Sequence, residues 1–217
     1  MTMPTPLFEP FPKQIEFLEK ALDLNSSLVI YGGAIRGGKT FVSLGALCLL
    51  CKMYPGSRWA IVRKDLPTLK RNIVPPFRKI APANFLVGGS FDSAYNQQEQ
   101  VVKFTNGSEV LLFAENFTQD KELNRWKGLE VNGFLLEECN ELQEDSFSKA
   151  IERAGTWIIP GGVPQPPAKI LLTCNPAQNW VKTILYDPAQ RNALPEGWHY
   201  IQARIFDNPF MPKSYVE

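Results

Sequence analysis

Residues 33–40 have the types and spacing that suit the binding of a chain of phosphates. They read GAIRGGKT and fit the pattern G-x-x-x-x-G-K-[ST] at every position. Lys39 is expected to reach the β- and γ-phosphates of a nucleoside triphosphate, and the Thr40 hydroxyl is expected to ligate Mg²⁺. Glycines let backbone amides converge on the anion, and this segment supplies Gly33, Gly37 and Gly38. A glycine-rich turn with a fortuitous lysine is the alternative, but an apolar run before the segment and a helix-length run after it favour a nucleotide site.

Two adjacent acids follow a second apolar run, in the sequence GFLLEE that ends at Glu138. A phosphate-loop enzyme needs one acid on a neighbouring strand for the Mg²⁺ shell and one carboxylate to polarise the attacking water. Glu137 suits the first task and Glu138 suits the second. The alternative is a strand that ends in solvated acids. Because Asp is usual at the first position, direct and water-mediated contact of Glu137 with the metal both stay open.

The elements that must position these residues alternate between short apolar runs and longer helical ones. SLVIYGG, RWAIVRK, GFLLEE and KILLTCNP read as strands, and KQIEFLEKALDL and KTFVSLGALCLLCKMY read as helices. LPTLKRNIVPPFRKI reads as a helical stretch broken by Pro75 and Pro76, and the Asn106-Gly107 pair predicts a hairpin. The predicted fold is α/β, a P-loop NTPase of the ASCE type (additional strand, catalytic glutamate), in which helices flank a mostly parallel central sheet as a three-layer sandwich.

Composition argues against several other classes. The 217 residues carry a net charge of +1, so no overall basic balance indicates a nucleic-acid partner. The charge is nevertheless polarised, with a basic segment at 58–79 and an acidic one at 137–145. No apolar run is long enough to cross a bilayer, so no membrane partner is expected. One histidine and four cysteines do not provide the ligand spacing of a zinc site.

Three features together resemble one family. They are an arginine inside the GGAIRGGKT loop, the acids of FLLEE, and LLTCNP at 171–176, a strand that ends in Thr-x-Asn-Pro; the closing DNPFMP adds to them. Over residues 8–217 the chain resembles the ATPase domain of the large terminase subunit, the DNA-packaging motor of tailed bacteriophages. The resemblance implies an ATPase that uses ATP and Mg²⁺ to drive double-stranded viral DNA into a procapsid.

The resemblance also assigns further residues. Arg36 matches the phosphate-loop arginine of the family, which contacts phosphate oxygens. Thr173 and Asn175 match the coupling motif, which senses the γ-phosphate; a hydroxyl and an amide can each exchange hydrogen-bond partners. Gln14 matches the glutamine that reads adenine, although a polar residue on an amphipathic helix is the simpler account of it.

An arginine finger delivered in trans is a further implication of the resemblance. Arg125 is the only arginine in the segment before the acidic strand, and we favour it. Counting back from Glu138, however, the commoner register falls on Lys127, which lacks the planar fork of a guanidinium. Catalysis is therefore expected to involve Glu138, Arg125 and Lys39.

The expected partners are double-stranded DNA, the portal protein of the procapsid, the small terminase subunit and further copies of the chain. The copies are expected to form a ring, a pentamer, whereas the isolated domain is expected to be monomeric. DNA contact is expected in the basic segment 63–79. We expect residues 1–205 to form the motor domain and 206–217 to begin a linker toward a nuclease domain not contained in this chain, which would carry any nuclease activity. The expected location is the host cytoplasm, with transient docking on the procapsid.

Three other interpretations share the phosphate loop. They are another DNA-dependent ATPase such as a helicase-like translocase, a small-molecule phosphotransferase, and a nucleotide-gated interaction module with no useful turnover. Stimulation of hydrolysis by duplex DNA separates the first two, and the behaviour of a Glu138→Gln variant separates the third.

Overall fold

A computed structural model describes residues 8–33 and 37–209, which form one eight-stranded sheet covered by helices on both faces. The strands are β1 (Leu28–Gly33), β2 (Arg58–Arg63), β3 (Tyr95–Asn96), β4 (Val101–Lys103), β5 (Glu109–Ala114), β6 (Gly133–Leu136), β7 (Lys169–Cys174) and β8 (Trp198–Ala203). Across the sheet their order is β3-β4-β5-β2-β6-β7-β1-β8. The six neighbouring strands β5, β2, β6, β7, β1 and β8 are parallel to one another. At the β5 edge, β4 pairs antiparallel with β5, and β3 pairs antiparallel with β4. The prediction of a mostly parallel sheet is confirmed.

Eight α-helices occur among the described residues, most of them between successive strands of the sheet. They are α1 (Pro12–Leu22), α2 (Lys39–Met53), α3 (Leu66–Asn72), α4 (Val74–Ile80), α5 (Phe91–Ala94), α6 (Asn124–Lys127), α7 (Glu144–Arg153) and α8 (Asp187–Gln190), with a π-helical turn at Val181–Tyr186. Short 3-10 turns occur at Ala83–Phe85, Val87–Gly89, Cys139–Glu141 and Ile205–Asp207. No helix among the described residues is both long and apolar enough to cross a membrane.

Side-chain alternation along the parallel strands creates two separate cores. Val29 and Tyr31 of β1 face one cluster, which α1 to α5 cover, whereas Leu28 and Ile30 face a second cluster with α6, α7 and the π-helical turn. Successive side chains of a strand point to opposite faces, so a strand buried on both faces is apolar throughout. β1 is buried at all six positions. The predicted three-layer sandwich is confirmed.

Strand β7 lies between the strand that leads into the phosphate loop and the strand that ends at the two acids. Its register pairs Gly32 with Cys174 on one side and Leu136 with Leu172 on the other. The three strands are parallel, so their carboxyl ends meet at one edge of the sheet. This inserted strand is the additional strand that the predicted fold class requires, and it places Thr173 and Asn175 beside Glu137 and Glu138.

The helical stretch after β2 differs from the prediction in the place where it is interrupted. The helix is interrupted between Asn72 and Val74. Pro75 and Pro76 lie in the first turn of α4 and not at the interruption. Proline is tolerated there because the first N–H groups of a helix have no intrahelical acceptor. The Asn106-Gly107 turn joins β4 and β5 as an antiparallel hairpin, as predicted.

Candidate active site

The phosphate loop begins at Gly33 and leads into α2 at Lys39. Gly33 has a φ of +131° and Gly38 a φ of +65°, and both values favour glycine. A Cβ atom on Gly33 would lie 1.9 Å from the main-chain oxygen of Ala203, and one on Gly38 would lie 2.5 Å from Gln14 Nε2. These positions therefore admit only glycine without local rearrangement. Residues 34–36, which include Arg36, lie outside the described residues.

A cavity of about 280 Å³ opens at the N-terminus of α2. Its lining consists of Gly37, Gly38, Lys39, Thr40, Phe41, Pro76, Glu138 and Asn175. The sheet edge thus brings the predicted loop, the predicted catalytic acid and the predicted coupling residue to one cavity. The 15-residue helix directs its positive N-terminal end here, which favours an anionic ligand.

Lys39 is almost fully enclosed, with 6% of its surface exposed. Its Nζ donates to the main-chain oxygen of Gly33 at 3.2 Å and to Oδ1 of Asn175 at 2.9 Å. Burial lowers the pKa of Lys39, and the negative charges of Glu138 and Glu137 act in the opposite direction. An anionic ligand would favour the charged form further. Lys39 therefore has the position that a phosphate-binding lysine requires.

Glu137 is held by a buried ion pair. Arg63, at the end of β2, donates from Nη1 to Glu137 Oε2 at 2.8 Å and to the main-chain oxygen of Glu137 at 3.2 Å. Both side chains are 3% exposed. The second oxygen, Oε1, accepts a hydrogen bond from the hydroxyl of Thr40. Arg63 thus fixes the carboxylate so that it faces the phosphate loop.

Thr40 and Glu137 fit the chemistry of a Mg²⁺ site. A hydroxyl and a carboxylate oxygen in hydrogen-bond contact are hard oxygen ligands, which Mg²⁺ prefers, and the ion characteristically completes its shell with water and phosphate oxygens. These two side chains would hold the ion beside the phosphates. Both residues predicted as metal ligands therefore lie where one ion can contact them.

Glu138 has a strained backbone and a directed side chain. Its φ of 51° and ψ of 54° lie in the left-handed region, which a glutamate seldom adopts. Its amide donates to the hydroxyl of Thr173 at 2.9 Å, and its Oε2 accepts from Nδ2 of Asn175 at 2.6 Å. The left-handed residue turns the chain sharply after β6, so that Glu137 and Glu138 diverge. One carboxylate contacts Thr40 and the other contacts Asn175.

The environment of Glu138 suits a general base. Burial raises its pKa, the neighbouring charge of Glu137 raises it further, and Lys39 and Arg63 act against this increase. A base with a raised pKa holds a proton more readily, which brings it closer to the value that favours proton transfer near neutral pH.

Asn175 links the phosphate lysine to the catalytic acid. Its amide oxygen accepts from Lys39 and its amide nitrogen donates to Glu138. Its main-chain N–H donates to Oδ1 of Asn140 at 2.9 Å. A γ-phosphate that attracts Lys39 would compete directly with Asn175. The sensor role that the resemblance implies for Asn175 stays a prediction, and the Thr173 hydroxyl contacts the main-chain N–H of Glu138.

Gln14 lies beside the loop but uses its amide for backbone contacts. Its Nε2 donates to the main-chain oxygen of Gly38 at 3.2 Å, and its Oε1 accepts from the main-chain N–H of Phe11 at 3.2 Å. It also lines a cavity of about 320 Å³ together with Phe11 and Phe41. One amide hydrogen and one lone pair are left for a ligand in this aromatic cavity, so its role in reading adenine stays a prediction.

The two finger candidates lie on α6 and are exposed. Arg125 donates from Nη1 to the main-chain oxygen of Ala114 at 3.2 Å, and its guanidinium lies 4.9 Å from the ring centre of Phe113. Lys127 donates to Oδ1 of Asn124 at 2.7 Å. A finger acting in trans requires an exposed side chain, and both residues meet that condition. The choice between them stays a prediction.

Arg63 is the functional residue that sequence reasoning misassigned. The sequence groups it with the basic segment 63–79 as a DNA contact, but the structure buries it against Glu137. The exposed cations of that segment are Lys64, Lys70, Arg71, Arg78 and Lys79. The position of Arg63, the last residue of a strand next to the acidic strand, is the signal that could have identified it.

The fold and this site define a P-loop NTPase of the ASCE class. A family model described as phage terminase large subunit matches residues 28–217. The chain therefore belongs to the phage terminase large subunit family. No curated protein matches the chain in sequence.

Solved structures share the fold at low sequence identity. The large terminase of a thermophilic bacteriophage is 20% identical, covers 95% of this chain and superposes with a TM-score of 0.68. A second structure of that terminase, in complex with ATP-gamma-S, is 19% identical over 95% of this chain and has a TM-score of 0.68. The large terminase ATPase domain of Thermus phage P74-26 is 13% identical, with a TM-score of 0.60 over 90% of this chain and 81% of that domain. The chain spans about half of the first of these proteins, 48% of its length.

Proposed function

We propose that this chain is the ATPase domain of a phage large terminase, in which ATP hydrolysis drives double-stranded DNA into a procapsid. One observation carries the proposal: Asn175 joins Lys39 of the phosphate loop to Glu138 of the acidic strand at a single cavity. The lysine that would bind phosphate and the glutamate that would accept a proton are therefore both in contact with one residue, Asn175. Family membership supports the packaging role, and the ATP-gamma-S complex of the thermophilic phage terminase supports the choice of nucleotide.

The chemistry follows from the residues. Lys39 would leave Asn175 and donate to the β- and γ-phosphate oxygens, while the glycine amides and the N-terminus of α2 bind the remaining negative charge. Glu138 would accept the proton of a water molecule whose oxygen attacks the γ-phosphorus. The bond from that phosphorus to the bridging oxygen breaks, and ADP and inorganic phosphate leave. Mg²⁺, when bound at Thr40 and Glu137, would neutralise charge that develops on the phosphate oxygens.

Coupling to DNA would begin at Asn175. When phosphate leaves, Lys39 becomes available to Asn175 again, and the end of β7 changes its hydrogen-bond partners. A motor that moves DNA of any sequence should grip phosphates rather than base edges. The exposed cations on α3 and α4 are the candidates for this contact, and Pro76 of α4 lines the phosphate cavity directly. These helices would therefore contact both DNA and the nucleotide site.

Assembly would complete the site. We infer a ring of copies, docked on the portal protein and loaded with the help of the small terminase subunit, in which Arg125 or Lys127 of one copy reaches the nucleotide of the next. An isolated copy would lack this contact and hydrolyse ATP slowly, because the interaction depends on concentration.

A binding and hydrolysis experiment tests the proposal. Purified wild-type chain should bind ATP with Mg²⁺ and hydrolyse it slowly, with a rate that rises on addition of duplex DNA. Glu138→Gln should retain nucleotide affinity and lose hydrolysis, whereas Lys39→Ala should lose affinity. Unchanged ATP affinity in Lys39→Ala would overturn the proposal, and stimulation by a small phosphate acceptor instead of DNA would indicate a phosphotransferase.

A further inference from the structure

We propose that Asn140 is a positioning residue that holds Asn175 in contact with Lys39 and Glu138. This inference rests on the proposed ATPase function and extends it to a residue with no assigned role. Oδ1 of Asn140 accepts the main-chain N–H of Asn175 at 2.9 Å, and the main-chain oxygen of Asn140 accepts Nδ2 of Asn179 at 2.8 Å. Asn140 therefore contacts the chain on both sides of residues 176–178, at Asn175 and at Asn179.

Asn175 needs such an anchor because it stands just beyond the regular sheet. β7 ends at Cys174, and the following residues, Pro176 to Gln178, form no helix or strand. A cavity of about 330 Å³ lies on this side of the sheet and is lined in part by Asn175, Pro176 and Gln178. A segment beside a cavity can move without displacing a close-packed core. The hydrogen bond to Asn140 restrains the main chain of Asn175, and the bonds to Lys39 and Glu138 hold its side chain.

Asn140 is also tied to the catalytic acid through the chain itself. It lies in the 3-10 turn Cys139–Glu141, which begins directly after the left-handed Glu138. The Asn175 side chain returns to Glu138 Oε2 at 2.6 Å. Glu138, Asn140 and Asn175 therefore form a closed loop of covalent and hydrogen-bond connections, in which displacement of one residue shifts the others.

This arrangement has opposite consequences for binding and for hydrolysis. Asn175 accepts a hydrogen bond from Lys39, and a phosphate oxygen that binds Lys39 would compete with this contact. Loss of the Asn140 anchor would weaken this competing contact and leave nucleotide affinity unchanged or higher. It would also let Glu138 and Asn175 leave their aligned positions, which would slow hydrolysis. A fall in kcat without a rise in KM is the signature of lost positioning, not of lost binding.

Asn140→Ala provides the test, with kcat measured by phosphate release and the Kd of a slowly hydrolysed ATP analogue by calorimetry. Removal of one hydrogen bond should lower kcat about 10-fold while the Kd stays equal or decreases about 2-fold. Asn140→Asp keeps an acceptor oxygen at the same position and should retain kcat within about 3-fold of wild type. Asn179→Ala is the matched control, because it removes the other bond to Asn140 and should change kcat by less than about 2-fold.

The outcomes separate this inference from the proposed function. A wild-type kcat in Asn140→Ala, or a Kd that rises in parallel with the fall in kcat, overturns the positioning role while the ATPase function stands. An Asn179→Ala variant with the same kinetic defect also overturns it, since any loosening of the turn would then suffice. If wild type and Glu138→Gln hydrolyse ATP equally, the proposed function itself is wrong.

Discussion

The guanidinium of Arg63 lies 2.8 Å from the carboxylate of Glu137, and both side chains are 3% exposed. This buried pair connects the end of β2 to the end of β6 directly behind the phosphate loop. Taking two charges out of water is costly, so the pair adds little net stability, but removal of one partner leaves the other charge buried. Arg63 thus fixes the Glu137 carboxylate relative to the sheet.

Replacement of Arg63 by methionine should therefore destabilise the fold strongly. The free energy of unfolding is expected to fall by about 3 to 5 kcal/mol, because the Glu137 carboxylate loses its cationic partner. Denaturant titration measures this change. Arg78 and Asp92 form an exposed pair at 2.6 Å, so Arg78→Met is the matched control and should cost about 1 kcal/mol or less. Equal effects of the two substitutions would show that the burial of Arg63 is not what matters.

The pH dependence of hydrolysis should report the environment of Glu138. Burial and the charge of Glu137 raise the pKa of Glu138 above the ordinary glutamate value of 4.5, so the carboxyl keeps its proton to a higher pH than an exposed glutamate does. Since a base must be deprotonated, kcat/KM should fall as the pH decreases through this raised value. A pH–rate profile at saturating Mg²⁺ measures the acid limb. An acid limb at or below pH 4.5 would contradict the assignment of Glu138 as the base.

Lys169 should give the fold an unusual alkaline stabilisation. It is 1% exposed and donates to the main-chain oxygens of Asp23 at 2.7 Å and Ser26 at 2.8 Å. Burial lowers its pKa from 10.5 to about 8. The unfolded chain then binds the proton more tightly than the folded chain, so the cost to stability is complete below pH 8 and disappears as the pH rises to 10.5.

Comparison with Lys169→Met isolates this effect from the titration of tyrosines and cysteines. Between pH 8 and 10.5 the stability of the wild type should increase relative to Lys169→Met, by up to about 3 kcal/mol. Chemical denaturation at a series of pH values measures the difference. A difference that stays constant across this range would mean that Lys169 is charged in the folded protein, or that the folded and unfolded pKa values agree.

Removal of two cations from α3 should weaken the response to DNA. Lys70 and Arg71 are exposed, and the double substitution to alanine should lower DNA affinity and reduce the salt slope by about one for each lost phosphate contact. DNA-stimulated hydrolysis and fluorescence anisotropy at several salt concentrations measure this. Lys52→Ala combined with Lys149→Ala removes two lysines from α2 and α7 and is the control. If both double variants lose DNA affinity equally, the contact is not located on α3.

The sequence predicts most of the fold because the signals for it are local. The alternation of apolar runs with helical ones predicts the parallel sheet, and the spacing in residues 33–40 predicts the nucleotide site. Because the carboxyl ends of parallel strands meet at one edge, the sequence also predicts a site there, but it does not predict that Asn175 contacts both Lys39 and Glu138. The prediction of the parallel sheet is confirmed because it depends on short segments and on a general rule of sheet packing, whereas the roles of the site residues stay predictions.

Contacts between distant segments were not predictable in the same way. Glu115, at the end of β5, accepts hydrogen bonds from the N–H of Gln143 and the hydroxyl of Ser146, and so caps α7 from 28 positions away. The burial of Arg63 and the anchoring of Asn175 by Asn140 are of the same kind. In each case the order of the strands in the sheet determines which distant residues come into contact, and a single sequence does not reveal that order. β8 was also missed, because WHYIQA has little of the apolar pattern of a central strand.

The inserted strand has a consequence for synthesis of the protein. Lys39 and Asn175 are 136 positions apart, yet they share a hydrogen bond. A nascent chain that has left the ribosome with its phosphate loop complete still lacks the strand that must enter between β1 and β6. During that interval both flanks of β1 and one flank of β6 are open to wrong partners, and closing so long a loop is slow. The emergence of β7 is therefore the step at which Lys39, Glu138 and Asn175 can first come together.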